Sequence, residues 1–171
     1  MQTKQSNFEF LKEHDPVFFQ LSSTAELVFS SDPNTTLIKL RQLAEALAQN
    51  IAARTGIYFD DRTSQADLLY KINKEIHLDS TIRQIFHSIR QEGNKATHEF
   101  TTKHREAMDG LRVARALAIW FHQSFGKQGI HFKAGPFISP IDPSIELRTL
   151  QSNIEQLKAQ LNLVNEKQAD E

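Results

Sequence analysis

The sequence predicts an all-α fold, and three observations carry that reading. Apolar residues recur at spacings of three and four along most of the chain. No segment of useful length alternates with period two. Three Asp-Pro pairs each precede a stretch with helical periodicity.

The pairs are Asp15-Pro16, Asp32-Pro33 and Asp142-Pro143. An Asp carboxylate can accept from unpaired N–H groups of a first helical turn. Proline at the next position lacks a donor that would go unpaired anyway, and its φ already suits a helix. Over 33–55, Leu37, Leu40, Ala44, Leu47 and Ile51 form one stripe, and Arg54-Thr55-Gly56 supply a cation and a stop. Ser64, with Asp67 three residues on, starts a helix that turns Leu68, Leu69 and Ile72 inward. Asp79 or Ser80 caps the next, with Ile82, Ile85, Phe86 and Ile89 on its apolar side and a break expected at Gly93-Asn94. A long helix over 104–125 carries Leu111, Ala114, Ala118, Phe121 and Phe125, widened by Leu117 and Trp120.

Composition changes after this helix. Residues 126–143 hold three of the six glycines and three of the five prolines, which reads as an extended linker. Beyond it, Leu147, Leu150, Ile154, Leu157, Leu161 and Val164 repeat as a narrow a/d seam. The expected organisation is a helical bundle over 1–126, a linker over 127–143 and an amphipathic coiled-coil helix over 144–168. Such a seam needs a partner. A second copy in a homodimer or a later domain is expected, with folding back onto the bundle as the alternative.

The 171 residues suffice for one domain plus an appendage, and 39% apolar with 24% charged residues is a globular balance. Twelve Phe against two Tyr and one Trp predict a core rich in aromatic rings. The absence of Cys excludes disulfides, thiolate nucleophiles and cysteine zinc sites. No apolar run suits a signal peptide or a membrane span, so a cytoplasmic protein without membrane contact is expected. The formal net charge is −1, yet residues 83–115 hold seven Lys/Arg against four Asp/Glu. Arg83, Arg90, Lys95, Arg105, Arg112 and Arg115 are therefore candidates for contacting DNA or RNA. A solvated helix face explains them as well, and Glu106 and Asp109 dilute the field.

Chemistry-bearing residues concentrate in Ile89–His98. His98 could serve as acid or base on a ribose hydroxyl, Arg90 as a phosphate-stabilising cation and Asn94 as an orienting group. The alternative is that Asn94 and His98 tie a helix junction to backbone groups. No paired-histidine metal spacing such as HExxH and no G-x-S-x-G context occurs, so neither a metal nor a cofactor is expected.

Helix 33–55 with Arg41 and Glu45, followed by Gly93-Asn94-Lys95-Ala96-Thr97-His98 before a long helix, resembles the HEPN-type helical domains. Active HEPN ribonucleases carry an Arg before the position of Asn94, and this chain has Gly93 there. Across nearly the whole chain, Ser6–Leu11 with Glu13-His14-Asp15-Pro16, Asp32-Pro33-Asn34-Thr35, Leu40-Arg41-Gln42, Trp120-Phe121-His122 and Phe132–Phe137 resemble a further module. It is the N-terminal domain of type I restriction R subunits. The resemblance implies a HEPN-like helical bundle that docks without catalysis. Its partners would be other subunits or later domains of a restriction complex that restricts foreign DNA. The parent would be a type I restriction endonuclease and ATP-dependent translocase; no GxxxxGK[ST] loop occurs in this sequence. Two alternatives remain: a HEPN-like ribonuclease or toxin acting as a dimer, and a nucleic-acid sensor.

Overall fold

Each Asp-Pro pair caps a helix in the way its chemistry requires. In the computed structural model, which describes residues 5–170, Asp15 accepts the Val17 N–H at 3.0 Å and opens α1 (Pro16–Val28). Asp32 accepts the Thr35 N–H at 3.1 Å and opens α2 (Pro33–Arg54). Asp142 accepts the Ser144 N–H at 2.9 Å and opens α6 (Pro143–Ala169). Between them, Ser64 caps α3 (Gln65–Ile76) and Asp79 caps α4 (Ser80–Glu99). α5 runs over His104–Phe125, and short 3-10 helices cover Glu9–Glu13 and Gly129–His131. Among the described residues there is no strand, so the all-α expectation holds.

α2 is the central helix, because α1, α3, α4 and α5 all pack on it. Its buried set goes beyond the stripe read from the sequence: Leu43, Ala48 and Ala52 join Leu37, Leu40, Ala44, Leu47 and Ile51, so apolar side chains surround much of its girth. Phe8, Phe18, Phe29, Phe86 and Phe121 fill the space around it, and Phe18 meets Phe121 edge-on at 5.5 Å. Five of the twelve phenylalanines are thus fully buried in the core, while Phe100 is exposed.

One local expectation needs correction. α4 does not break at Gly93-Asn94 but runs unbroken to Glu99. Gly93 is buried where α4 crosses α2, and a Cβ there would lie 2.5 Å from the Arg41 Cβ. The glycine permits close approach of two helices rather than a turn, at a propensity cost of about 1 kcal/mol. The chain leaves α4 at Phe100, in the left-handed region with φ of 54°. Asn34 holds this exit by donating to the Ala96 carbonyl at 2.7 Å and accepting from the Thr102 hydroxyl at 2.6 Å.

The chain falls into two units that divide after Pro140. In the first, the segment following α5 lies against the bundle. Phe132 packs on Phe10 at 5.1 Å and on His122 at 4.4 Å, and Arg112 lies over the Phe137 ring at 4.8 Å. Asn7 is bonded to Ile138, while Arg115 donates to the Asn7 carbonyl at 3.1 Å and the Gly135 carbonyl at 2.7 Å. The second unit contains α6, a helix of 27 residues, none of them buried. No helix among the described residues is long and apolar enough to cross a membrane.

Candidate functional site

The α2–α4 crossing governs the candidate motif. With Gly93 against Arg41, the guanidinium of Arg41 emerges beside the next residue of α4 and donates to the Asn94 side-chain carbonyl at 2.9 Å. Its Nε faces Glu45 at 3.6 Å, one turn along α2. Asn94 is therefore held by an arginine from a different helix. A larger residue at 93 would have to push the Arg41 side chain aside or separate the two helices.

Arg90, Asn94 and His98 all lie on α4, at successive turns. At a rise of about 1.5 Å per residue, Arg90 and His98 are roughly 12 Å apart along the axis. The Arg90 guanidinium turns toward the preceding turn, where it lies 3.1 Å from His87 Nδ1. His98 is exposed near the C-terminal end of the helix. The structure brings Asn94 to Arg41, and it does not bring Arg90 to His98.

The six candidate nucleic-acid contacts divide among separate places. Arg83 and Arg90, with His87, Tyr70 and Phe86, line a cavity of about 280 Å³ between α3 and α4. Arg112 and Arg115 grip the segment after α5. Lys95 faces Glu99 at 3.9 Å, and Arg105 is exposed on the first turn of α5. Between α4 and α5, a cavity of about 230 Å³ is rimmed by Glu92, Glu106 and Asp109. Those carboxylates would repel a phosphate backbone.

Sequence reasoning missed one constellation. The 3-10 helix ending at Glu13 delivers Glu13 and His14 against the last turn of α5, where His122 is buried. His14 Nε2 and His122 Nδ1 are 2.8 Å apart, and Glu13 Oε2 lies 3.9 Å from the first and 3.8 Å from the second. Phe10, Phe121 and Phe132 pack around the two imidazoles. Burial pushes His14 below the ordinary imidazole value; His122 adds to this and Glu13 opposes it. The Lys127 N–H, donated at 3.0 Å, holds the Glu13 carboxyl below its ordinary range. The available signal was that Glu13-His14 and Trp120-Phe121-His122 both lie in the stretches similar to type I restriction R subunits. Their meeting in space depends on a separation of 108 positions.

Comparison with known proteins gives this geometry a context. The Type I restriction enzyme EcoKI endonuclease subunit of Escherichia coli (strain K12) is 35% identical to the chain over 136 residues. That match covers 80% of this chain and 11% of the relative, so the chain spans about a tenth of the relative's length. The similarity to type I restriction R subunits read from the sequence is borne out. No solved structure matches the chain. Residues 23–119, from within α1 to within α5, match the family described as Domain of unknown function (DUF4145), and the chain belongs to that family.

Proposed function

We propose that this chain is a non-catalytic helical docking module of a type I restriction complex, and that α6 is its docking element. One observation carries the reading. The a/d seam of α6 is apolar from Leu147 to Val164 and lies open to solvent, from 43% exposure at Ile154 to 61% at Leu161. A lone helix with such a seam is marginal in water, and burying the seam against a partner is what makes it stable. The similarity to a restriction endonuclease subunit supports other subunits or later domains of such a complex as the partner. Through them the module would contribute to restriction of foreign DNA. The test is co-migration of the chain with the other subunits of a type I restriction complex on size exclusion. The chain co-migrates and Ile154→Lys/Leu157→Lys does not; equal behaviour of the two would contradict the proposal.

A second reading, a HEPN-like ribonuclease acting as a dimer, has one observation in its favour. The Arg41 guanidinium sits 2.9 Å from Asn94, one turn from His98. The docking reading is preferred, because that guanidinium is already engaged by Asn94 and Glu45, and Arg90 is turned toward His87.

A further inference from the structure

The cluster at Glu13, His14 and His122 has the composition and dimensions of a metal site. Its three donor atoms form a triangle with sides of 2.8, 3.8 and 3.9 Å. The point equidistant from them, in their own plane, lies about 2.1 Å from each, so a small widening of the His14–His122 contact would seat a four-coordinate ion at Zn–N distances of about 2.0–2.1 Å and Zn–O distances of about 2.0–2.2 Å. We propose that Glu13 Oε2, His14 Nε2 and His122 Nδ1 form a binding site for a late divalent transition-metal ion of the zinc type.

Two further features support a built site rather than a chance meeting of side chains. The first is Gly126. A Cβ there would lie 2.8 Å from His122 Nδ1, 2.9 Å from Glu13 Oε2 and 2.5 Å from the His122 carbonyl, so any other residue would intrude on the cluster. The second is the outer support of the ligands. The Lys127 N–H fixes the Glu13 carboxylate at 3.0 Å, and Phe10, Phe121 and Phe132 hold the imidazole rings in place. Two imidazoles and one carboxylate suit Zn²⁺ and its late divalent neighbours better than Mg²⁺ or Ca²⁺, which prefer all-oxygen shells.

One of the two facing nitrogens now carries the proton of the His14–His122 hydrogen bond. Binding would move that proton to the far nitrogen of the same ring and rotate the two imidazoles, which now face each other at 2.8 Å, so that both lone pairs and the carboxylate turn to the ion. Three protein ligands leave a fourth position for water on the side of Glu13, the most accessible of the three. An ion there would pin the N-terminal 3-10 helix to the end of α5, adding metal dependence to the stability of the bundle.

The test is Co²⁺ titration of the tag-free, chelator-treated full chain, followed by visible absorption and competition with Zn²⁺. The expected result is one ion per chain, d–d bands of a four-coordinate site, displacement by Zn²⁺ and a melting temperature that rises with Zn²⁺ and falls with chelator. Glu13→Gln can still accept from Lys127 and should fold normally by circular dichroism, yet bind at least tenfold more weakly. His14→Gln should lose the bands. Absence of stoichiometric binding overturns the proposal. So does binding unchanged in both variants, which would assign the ion to the exposed His77, His87, His98 or His131.

Discussion

Asn7 and Ile138, 131 positions apart, are joined by two hydrogen bonds: the Asn7 amide donates to the Ile138 carbonyl at 2.8 Å and accepts the Ile138 N–H at 2.7 Å. The side chain thereby acts toward Ile138 as a neighbouring strand would. The same amide donates to Glu26 at 2.8 Å, and Glu26 also accepts the Asn7 N–H at 3.1 Å. One buried residue thus ties the N-terminal segment, α1 and the segment after α5 together.

Asn7→Ala removes three side-chain hydrogen bonds and leaves the Ile138 N–H without its acceptor. A loss of about 2–3 kcal/mol is expected in urea denaturation of the chain. Asn7→Asp should be worse, because a carboxylate would face both the Glu26 carboxylate and the Ile138 carbonyl. An Asp variant as stable as the wild type would contradict this arrangement.

The segment from Lys127 to Pro140 supplies Phe132, Phe137 and the partners of Asn7 and Arg115. A chain ending at Pro140 should melt cooperatively with high helicity. A chain ending at Gly126 loses those contacts and should be less stable by on the order of 3 kcal/mol. Equal denaturation midpoints for the two chains would show that the segment adds nothing to the bundle.

Gly93→Ala tests the helix crossing, because two effects oppose each other. Alanine gains about 1 kcal/mol of helix propensity. Its Cβ would also meet the Arg41 Cβ at 2.5 Å, and overpacking of that kind costs about 1–3 kcal/mol. Net destabilisation of about 1 kcal/mol is expected, and the same substitution should cost less in an Arg41→Ser background, measured as a double-mutant cycle. A Gly93→Ala chain more stable than the wild type would refute the close approach.

Ribonuclease activity is expected to be absent, since Arg90 is turned to His87, Arg41 is bonded to Asn94, and His98 is exposed. The assay is purified chain against a mixed RNA pool beside His98→Ala. Cleavage that disappears in His98→Ala would support the dimeric ribonuclease instead.

What could be read from the sequence was what depends on near neighbours. Asp15, Asp32 and Asp142 cap helices through bonds spanning two or three residues, so each Asp-Pro pair announced its helix. Gly93 was misread because glycine looks the same in sequence whether a helix ends or another helix crosses it. The deciding neighbour, Arg41, lies on α2. The Glu13–His14–His122 cluster escaped for the same reason, since no local spacing joins its parts. The sequence also could not show that the Arg112 and Arg115 guanidinium groups meet Phe137 and the carbonyls of Asn7 and Gly135, because those partners lie far along the chain.

The docking role of α6 is tested most directly by sedimentation of the full chain over a concentration series, beside Ile154→Lys/Leu157→Lys. Without the proposed partner, the exposed seam should pair with a second copy, giving concentration-dependent association. Two buried, unpaired lysines would cost on the order of several kcal/mol at that interface. The double variant should therefore be a monomer, with melting of the bundle unchanged. Association that survives the double substitution, or loss of the bundle's melting transition in that variant, would contradict the account.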